Sequence, residues 1–431
     1  MKRNFDSFFI VCFFKGLDIA EKGKYNRQHD KEQKQMSFRE RQRGGIIMKR
    51  RGLCLVLAAV MAMTAMAGCG GKKSASSGDT FKIGGQGPTT GNAAIYGNAV
   101  KNGMELAANE INAAGGINGK QVEIKFEDDE ADAEKAVNAY NNLKDWGMQV
   151  LVGPTTSGAC EAVVTKTKEA GMFQLTPSAT SLNSIKEDNA YRMCFSDPAQ
   201  GTVAAQYIAA NNLAKKIAVI YDSGDAYSSG IYENFAKEAP NQGLEIVAAE
   251  SFTSESNKDF SVQLQKAKDG GADMVFLPIY YTEASLILAK AKEMNFAPTF
   301  FGCDGMDGIL TLENFDTSLA EGLMLMTPFS AEAEDEKTQN FVKTYKEKYG
   351  DTPNQFAADA YDCMYVIKEA AEKENVTPDM SVSDLCEALK KGMSELKYTG
   401  LTGKDITWGT DGEPTKEPIA VKIENGAYVF M

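Results

Sequence analysis

Histidine is almost missing from this chain of 431 residues, since His29 is the only one. It lies within residues 1–47, a charged and poorly patterned stretch. We interpret that stretch as an over-called N-terminal extension, with a genuine cytoplasmic segment as the alternative. If Met48 is the true start, no histidine is left, which excludes a Ser/His/Asp triad, a Cys/His dyad and a histidine-ligated metal. We therefore expect no catalytic residue, no metal and no cofactor, and a protein that is not an enzyme.

Paired cysteine motifs are missing as well. Five cysteines follow Cys69, and no C-x-x-C occurs among them, so neither a zinc site nor a thioredoxin-like motif is indicated. We expect each of the five to behave as a small buried apolar residue. A disulfide between two of them stays open, because the sequence indicates no particular pair.

Basic residues are scarce from Cys69 onward, where 32 Lys and Arg stand against 53 Asp and Glu, a net charge of −21. Such an acidic chain lacks the positive face that neutralises phosphates, so we expect no nucleic-acid partner. Like charges keep a protein dispersed in solution, and we expect a monomer.

The apolar run Leu53–Met66 is shorter than the about 20 residues that a membrane-spanning helix needs. It follows the basic tetrapeptide MKRR and ends in small residues, a pattern typical of a secretory signal. The tripeptide AGC after it resembles the bacterial lipobox, with methionine where leucine is more usual. We predict a lipoprotein signal peptide over residues 48–68 and lipidation of Cys69, with an ordinary signal peptide as the alternative.

Residues 69–79 are rich in Gly, Ser and Lys, and we predict a flexible tether there. Ten residues reach at most roughly 35 Å, which is enough to hold a folded domain just off a membrane. We therefore expect an exported protein that is lipid-anchored to the outer face of the cell membrane, or a periplasmic one.

Short apolar strands and amphipathic helices alternate from about residue 80. Segments such as FKIGGQ and QVEIKFED are separated by helical patterns, and the rhythm restarts after Pro198 with KIAVIY and DMVFLP. This alternation predicts βαβ units and parallel sheets in two successive halves, roughly 80–197 and 198–326. A more helical stretch follows, and then a β-like end with DITW, AVKI and AYVF. Single cores rarely exceed ~250–300 residues, so we expect two domains.

Polar residues cluster directly after the predicted strands, where ligands of open α/β sheets bind. The first half supplies hydroxyl groups and helix N-termini that suit a carboxylate, with Ser157 placed as an N-cap. The second half supplies phenols and one acid, Asp304, which suits an ammonium group. Together these groups predict an α-amino acid held at both ends, although ordinary turn chemistry explains each residue taken singly.

Six stretches carry a family resemblance over nearly the whole chain after the tether: INAAGGINGKQVEIKFEDDEAD, VGPTTSGA, LTPSATS, IAVIYDSGDAYSSGI, KDFSVQLQKAKDGGADMVFLP and FFGCDGM. They resemble the extracellular solute-binding proteins of branched-chain amino-acid ABC transporters, of the leucine/isoleucine/valine-binding type. The resemblance implies the type I periplasmic-binding-protein fold. That fold is α/β, with two doubly wound parallel-sheet lobes joined by three hinge crossings.

The resemblance also implies a role for each candidate position. Ser157 and Thr180 match positions that bind the ligand carboxylate, and Ser178 matches a position whose carbonyl faces the ammonium. Asp304 matches the acid that pairs with the ammonium, where leucine-type members carry glutamate. The positions that match the lining of the pocket are Tyr96, Thr155, Tyr227, Tyr280 and Phe356.

The family fold further implies how the chain is divided. Hinge strands near residues 196–199, 327 and 399 would join an N-terminal lobe to a C-terminal lobe. The N-terminal lobe would contain residues 80–197 and 327–398, and the C-terminal lobe residues 198–326 and 399–431. The lobes would close around the ligand, and the membrane subunits of an ABC permease would recognise the closed form.

Three alternatives stay open. An enzyme is disfavoured because Thr90 breaks the G-x-G-x-x-G pattern and Ser394–Lys397 fits S-x-x-K without its companion motifs, yet a pair of carboxylates acting on glycosides stays open. A ligand-sensing receptor of the same fold would need a separate signalling partner. Another amino acid, an amide or an aromatic acid could be the ligand, since aspartate is shorter than glutamate.

Overall fold

The computed structural model describes residues 80–431. The predicted extension, signal peptide, tether and lipidated Cys69 lie outside the described residues. Five cysteines lie inside this part of the chain, and all five are buried with free thiols. No helix between residues 80 and 431 has both the length and the apolar character to cross a membrane.

The described part of the chain alternates between strands and helices, with short 3-10 turns between some of them. The strands are β1 (Thr80–Gly87), β2 (Gln121–Asp128), β3 (Val150–Val152), β4 (Phe173–Thr176), β5 (Ala190–Arg192), β6 (Lys216–Asp222), β7 (Glu245–Phe252), β8 (Met274–Leu277), β9 (Thr299–Gly302), β10 (Met324–Thr327), β11 (Ile419–Glu424) and β12 (Ala427–Phe430). The α-helices are α1 (Ala94–Ala113), α2 (Ala133–Trp146), α3 (Ser157–Glu169), α4 (Asp197–Ala210), α5 (Ala226–Glu238), α6 (Ser261–Asp269), α7 (Tyr281–Glu293), α8 (Glu336–Tyr349), α9 (Gln355–Lys373) and α10 (Val382–Ser394).

The first sheet consists of five parallel strands in the order β2-β1-β3-β4-β5. Strand β3 is fully buried, as expected for a short strand that is covered on both faces. The strand order reverses between β1 and β3, and ligands of doubly wound sheets bind at such a switch point. The loops after β1, β3 and β4 therefore meet at the edge where the candidate residues lie.

The second sheet repeats this order as β7-β6-β8-β9-β10 and is then extended by β11 and β12, which pair antiparallel. The expected strands AVKI and AYVF correspond to β11 and β12. The expected strand DITW forms only isolated bridges, through Ile406 to Tyr398 and through Trp408 to Pro414. Pro414 has no N–H to donate, so a regular ladder cannot form there. The α/β fold class predicted from the sequence is confirmed.

The chain passes between the two sheets three times. It leaves the first sheet after β5, because α4 packs on α5 of the second half. It returns after β10, since α8 and α9 pack on α1 and α10 packs on β4. It crosses again before β11, which pairs with β10. The exact residue boundaries of the two lobes stay a prediction.

One hydrophobic cluster runs from strands of the first sheet to strands of the second. It joins Val152 and Leu175 through Tyr96 and Phe356 to Leu277. Because large side chains of both halves are buried in one cluster, the two lobes are in contact at the candidate site. Burial of such apolar area stabilises this contact by about 25 cal/mol for each Å².

Candidate ligand-binding site

The loop after β3 begins the surface that the first lobe contributes. Thr156, not Ser157, precedes the first helical residue of α3, so the predicted N-cap role of Ser157 is wrong. The Ser157 Oγ instead accepts hydrogen bonds from the backbone N–H groups of Thr180 and Ser181, both at 3.2 Å. It thereby joins the loops after β3 and β4, and its own proton can be donated to a ligand carboxylate.

Two further hydroxyl groups hold these loops in place. Thr155 Oγ1 donates to the backbone carbonyl of Gln86 at 3.1 Å, and Ser178 Oγ donates to the carbonyl of Thr155 at 2.7 Å. Thr155 packs so closely on β1 that a Cβ at Gly87 would lie 2.1 Å from its Oγ1. Both hydroxyls are therefore engaged by the protein's own backbone.

Arg192, at the end of β5, holds the same loops from behind. Its side chain is fully buried, and its Nη1 donates to the backbone carbonyls of Ala179 and Thr180. Its Nε lies 2.9 Å from a carboxylate oxygen of Glu413, which balances the buried charge. The guanidinium therefore fixes the direction in which the peptide groups around Thr180 point.

Asp304 lies in a 3-10 turn directly after β9, on the second lobe. Its N–H donates to Gln200 Oε1 at 3.0 Å, and its carbonyl accepts from Gln355 Nε2 at 2.8 Å. The side chain is only 3% exposed, and its Oδ1 has no hydrogen-bond partner among residues 80–431. Burial, and to a smaller extent the charge of Asp359, raises the pKa of this carboxyl to about 7.

Four of the predicted pocket residues form one aromatic group across the lobes. Tyr96 stacks on Phe356 at a centroid distance of 4.2 Å and meets Tyr280 edge-on at 5.4 Å, while Tyr227 stacks on Tyr280 at 5.0 Å. The Tyr96 hydroxyl donates to the carbonyl of Gly305, and the Tyr227 hydroxyl accepts from the N–H of the same residue at 2.9 Å. The rings thus border the turn that carries Asp304.

Several buried polar atoms at the contact between the two lobes have no hydrogen-bond partner in the described part of the chain. Within residues 80–431 they include Thr180 Oγ1, Asp197 Oδ1, Gln200 Nε2 and Asp304 Oδ1. Asp197 connects the two sides, because its N–H donates to the Thr180 carbonyl at 2.9 Å, and because burial and, to a smaller extent, the charge of Asp304 raise its pKa. Leaving such atoms unpaired is costly, so they indicate a polar ligand with both donors and acceptors.

Two hydrogen bonds at the start of α1 connect the two lobes. Tyr281 Oη accepts from the N–H of Ile95 at 3.2 Å, and Thr282 Oγ1 donates to the Asn92 carbonyl at 2.8 Å. The first helical residues of α7 therefore hold the start of α1. The arrangement shields the polar atoms inside from water, which strengthens their electrostatic interactions.

The groups at this site are suited to binding a ligand through hydrogen bonds and charge. Among residues 80–431, no group of three His, Cys, Asp or Glu side chains could hold a metal ion. Burial and the charge of Asp304 raise the pKa values of Cys194 and Cys303 well above the ordinary range, so both side chains stay thiols. What the site offers is one face of hydroxyl and amide donors and one face with carboxylates.

The structure places the nine candidate positions in one region, and their roles in ligand binding stay a prediction. Arg192, Asp197, Gln200 and Gln355 lie in the same region and were missed from the sequence. One signal was present for Arg192, which is the only arginine after Arg51. Asp197 and Gln200 lie in the first turn of α4, next to the predicted hinge, where a helix start with free N–H groups was not considered. Gln355 gave no signal, because its role depends on the position of α9 relative to the loop after β9.

Comparison with known proteins agrees with this architecture. The family described as periplasmic binding protein matches residues 80–427. A protein of Pseudomonas aeruginosa, named leucine-, isoleucine-, valine-, threonine-, and alanine-binding protein, is 30% identical over 312 residues, which cover 72% of this chain and 83% of the relative.

Two solved structures are similar in fold. The branched-chain amino acid transporter substrate binding protein LivJ from Streptococcus pneumoniae, in complex with isoleucine, is 31% identical with a TM-score of 0.74, covering 81% of this chain and 97% of that one. The leucine binding protein LivK from Thermotoga maritima is 26% identical with a TM-score of 0.73, at the same coverage. The match over most of the chain shows that this protein belongs to the periplasmic binding protein family, whose members bind solutes and are not enzymes.

Proposed function

We propose that this protein binds a branched-chain amino acid between its lobes as the solute-binding protein of an ABC transporter. The observation that carries the proposal is the set of unpaired buried polar atoms between Thr180 and Asp304. A zwitterion supplies partners at both ends. Its carboxylate accepts from the hydroxyls of Ser157 and Thr180, and its ammonium donates to Asp304. The names of the Pseudomonas relative and of the isoleucine-bound Streptococcus structure support this assignment.

The aromatic group provides the apolar part of the pocket. Tyr96, Tyr280 and Phe356 present ring faces and edges, and pockets of this kind suit an aliphatic side chain. The hydroxyls of Tyr96 and Tyr227 already bond to Gly305, so they do not require a polar side chain on the ligand. Leucine, isoleucine and valine match this combination of an apolar side chain and two charged ends.

Truncated ligands test the proposal directly by calorimetry. Leucine is compared with 4-methylpentanoate, which lacks the ammonium, and with 3-methylbutylamine, which lacks the carboxylate. We expect leucine to bind and both analogues to lose at least about 100-fold in affinity, because each leaves buried groups unpaired. Equal affinity for leucine and 4-methylpentanoate would refute the role of Asp304 and point to an organic acid as the ligand.

A thermal-shift screen of the twenty amino acids then fixes the preference for a side chain, because a bound ligand raises apparent stability by mass action. We expect the largest shifts from leucine, isoleucine and valine. A larger shift from a polar or aromatic amino acid would replace the branched-chain assignment and leave the zwitterion site intact.

We also propose export with a lipid anchor at Cys69 and delivery of the ligand to a membrane permease. The support is the signal-like segment before Cys69 and the membership of the chain in a family of ABC-transporter binding proteins. Metabolic labelling with a palmitate analogue should mark the wild-type protein, and Cys69→Ser should be unlabelled. Labelling of Cys69→Ser to the same extent would contradict the anchor. Uptake of labelled leucine should fall when the protein is deleted.

A further inference from the structure

The segment between α10 and β11, residues 398–416, is held at both ends by one helix, and we call it the strap. Asp362 of α9 accepts a hydrogen bond from the backbone N–H of Thr402 at 2.9 Å, near the start of the strap. At its end, Lys416 Nζ lies 2.6 Å from Asp359 Oδ1 of the same helix, and both side chains are buried. Removing one partner of a buried ion pair is strongly destabilising, so the strap is firmly attached to α9.

The middle of the strap lies along β5, the last strand of the first sheet. Trp408 Nε1 donates to the carbonyl of Arg192 at 2.8 Å, and the N–H of Arg192 donates to the carbonyl of Gly412 at 3.2 Å. A Cβ at residue 412 would lie 2.2 Å from the carbonyl oxygen of Ala190, and the φ of Gly412 is 78°, so only glycine is tolerated there. The strap therefore covers a sheet edge that would otherwise expose unpaired backbone groups.

The side chain of Arg192 links the strap to the loop after β4. Its Nε lies 2.9 Å from a carboxylate oxygen of Glu413 on the strap, while its Nη1 donates to the backbone carbonyls of Ala179 and Thr180. The Arg192 side chain is completely buried, whereas the Glu413 side chain is 31% exposed. Because a guanidinium is planar and its N–H groups keep fixed directions, the contact with Glu413 orients the N–H groups that hold the loop.

The backbone of Thr180 is therefore held from two sides. Its N–H donates to Ser157 Oγ at 3.2 Å, and its carbonyl accepts from Arg192 Nη1 and from the N–H of Asp197. The rotamers open to a side chain depend on its backbone conformation. These contacts consequently also fix the position of the Thr180 hydroxyl.

We propose that Arg192 and Glu413 are positioning residues for the carboxylate half of the inter-lobe site. In this assignment neither residue touches the ligand, and both act through Thr180, whose hydroxyl donates to the ligand carboxylate. The strap thereby contributes to affinity from behind the first lobe, although it supplies no group to the pocket. This inference rests on the proposed function, because it requires a ligand with a carboxylate next to Thr180.

Calorimetry with leucine tests the inference on the full chain. Arg192→Lys keeps the charge but lacks the planar fork, and we expect it to lower leucine affinity at least about tenfold. Glu413→Gln keeps the size but removes the ion pair, and we expect about a fivefold loss. Glu417→Gln is the matched control, since it makes the same change at an exposed position just beyond the strap, and its affinity should equal that of the wild type. Unchanged affinity in both Arg192→Lys and Glu413→Gln would overturn the inference.

A double-mutant cycle separates positioning from a general loss of structure. Thr180→Val removes the hydroxyl and keeps the shape of the side chain, so Glu413→Gln should cost less than about twofold when it is added to Thr180→Val. Equal losses with and without Thr180→Val would overturn the inference, because the pair would then not act through that hydroxyl. The Glu413 side chain is partly exposed, so the cycle remains decisive if Arg192→Lys does not fold. A wild-type protein that binds no α-amino acid would refute the proposed function, and this inference with it.

Discussion

The two lobes prepare their halves of the candidate site in opposite ways. On the first lobe, the hydroxyls of Thr155, Ser157 and Ser178 and the guanidinium of Arg192 all take part in hydrogen bonds with the protein's own backbone. On the second lobe, Asp304 is held through its backbone N–H and carbonyl, and its carboxylate keeps an oxygen without a partner. Most hydroxyls of the first half are paired within the protein, with Thr180 Oγ1 as an exception, whereas the second half carries a buried carboxylate oxygen without a partner among residues 80–431.

This difference indicates how a ligand would drive closure. A ligand shifts an equilibrium only by contacts that it makes better in one state. Burying Asp304 without a cation is unfavourable, and an ammonium ion removes that penalty only when the lobes meet. The first lobe would then position the ligand by its carboxylate. The second lobe would supply the ion pair with the ammonium, which forms only when the lobes close.

Replacing the acid should have the largest effect. Asp304→Ala removes the group that pairs with the ammonium, and we expect leucine affinity to fall at least about 100-fold, because breaking a buried ion pair costs about 3 to 5 kcal/mol. Calorimetry measures this, with Asp269→Ala as the control at an exposed helix end of the same lobe. Unchanged affinity of Asp304→Ala would remove the contrast between the lobes.

The same position should show the reverse effect on stability without ligand. Burial raises the pKa of Asp304 to about 7, so the stabilising effect of its proton is complete below the unfolded value and is lost as the pH rises towards 7. Asp304→Asn has no such loss, and we expect it to be more stable than the wild type by about 1 to 2 kcal/mol at about pH 8.

Denaturant titrations at several pH values check this stability difference, which should shrink as the pH approaches about 4. A difference that does not change with pH would show that the carboxyl ionises as it does in the unfolded chain.

Ligand affinity should itself depend on pH. The ammonium binds the ionised form of Asp304, which must lose its proton when the pH is below its raised pKa of about 7. Burial is the main cause of that raised pKa, and the charge of Asp359 contributes to it. We expect leucine affinity to fall about tenfold from about pH 8 to about pH 6, as measured by calorimetry. Affinity that rises on acidification would contradict the pairing.

The first lobe should respond least. Ser157→Ala removes one donor to the ligand carboxylate, and we expect about a fivefold loss of leucine affinity, since a hydrogen bond contributes about 1 kcal/mol. Ser178→Ala is the matched control, because its hydroxyl donates to the Thr155 carbonyl and not to a ligand. If Ser178→Ala weakens leucine binding more than Ser157→Ala, the role of Ser157 as a donor to the ligand carboxylate is wrong.

The alternation of apolar and polar residues predicted the fold class correctly, because the strands and helix of each βαβ unit are close in sequence. The rule that ligands bind beyond the carboxyl ends of strands led to Ser157, Thr180 and Asp304 for the same reason. Ser157 as an N-cap was wrong by one residue, a difference that depends on backbone geometry. Gln355 was missed because Asp304 and Asp307 are brought near it only by the crossings between the sheets. Arg192 was missed although Ala179 and Thr180 precede it by only 13 and 12 residues.

The amide of Gln355 ties the first turn of α9 to the loop that spans Asp304 and Asp307. Its Oε1 also accepts from the hydroxyl of Thr327, at the end of β10. Gln355 therefore connects α9, the end of β10 and the loop that contains Asp304 and Asp307. Substitutions on the buried face of α9, away from the bound ligand, should consequently change which ligand the protein prefers. Directed evolution toward a new ligand would select changes there.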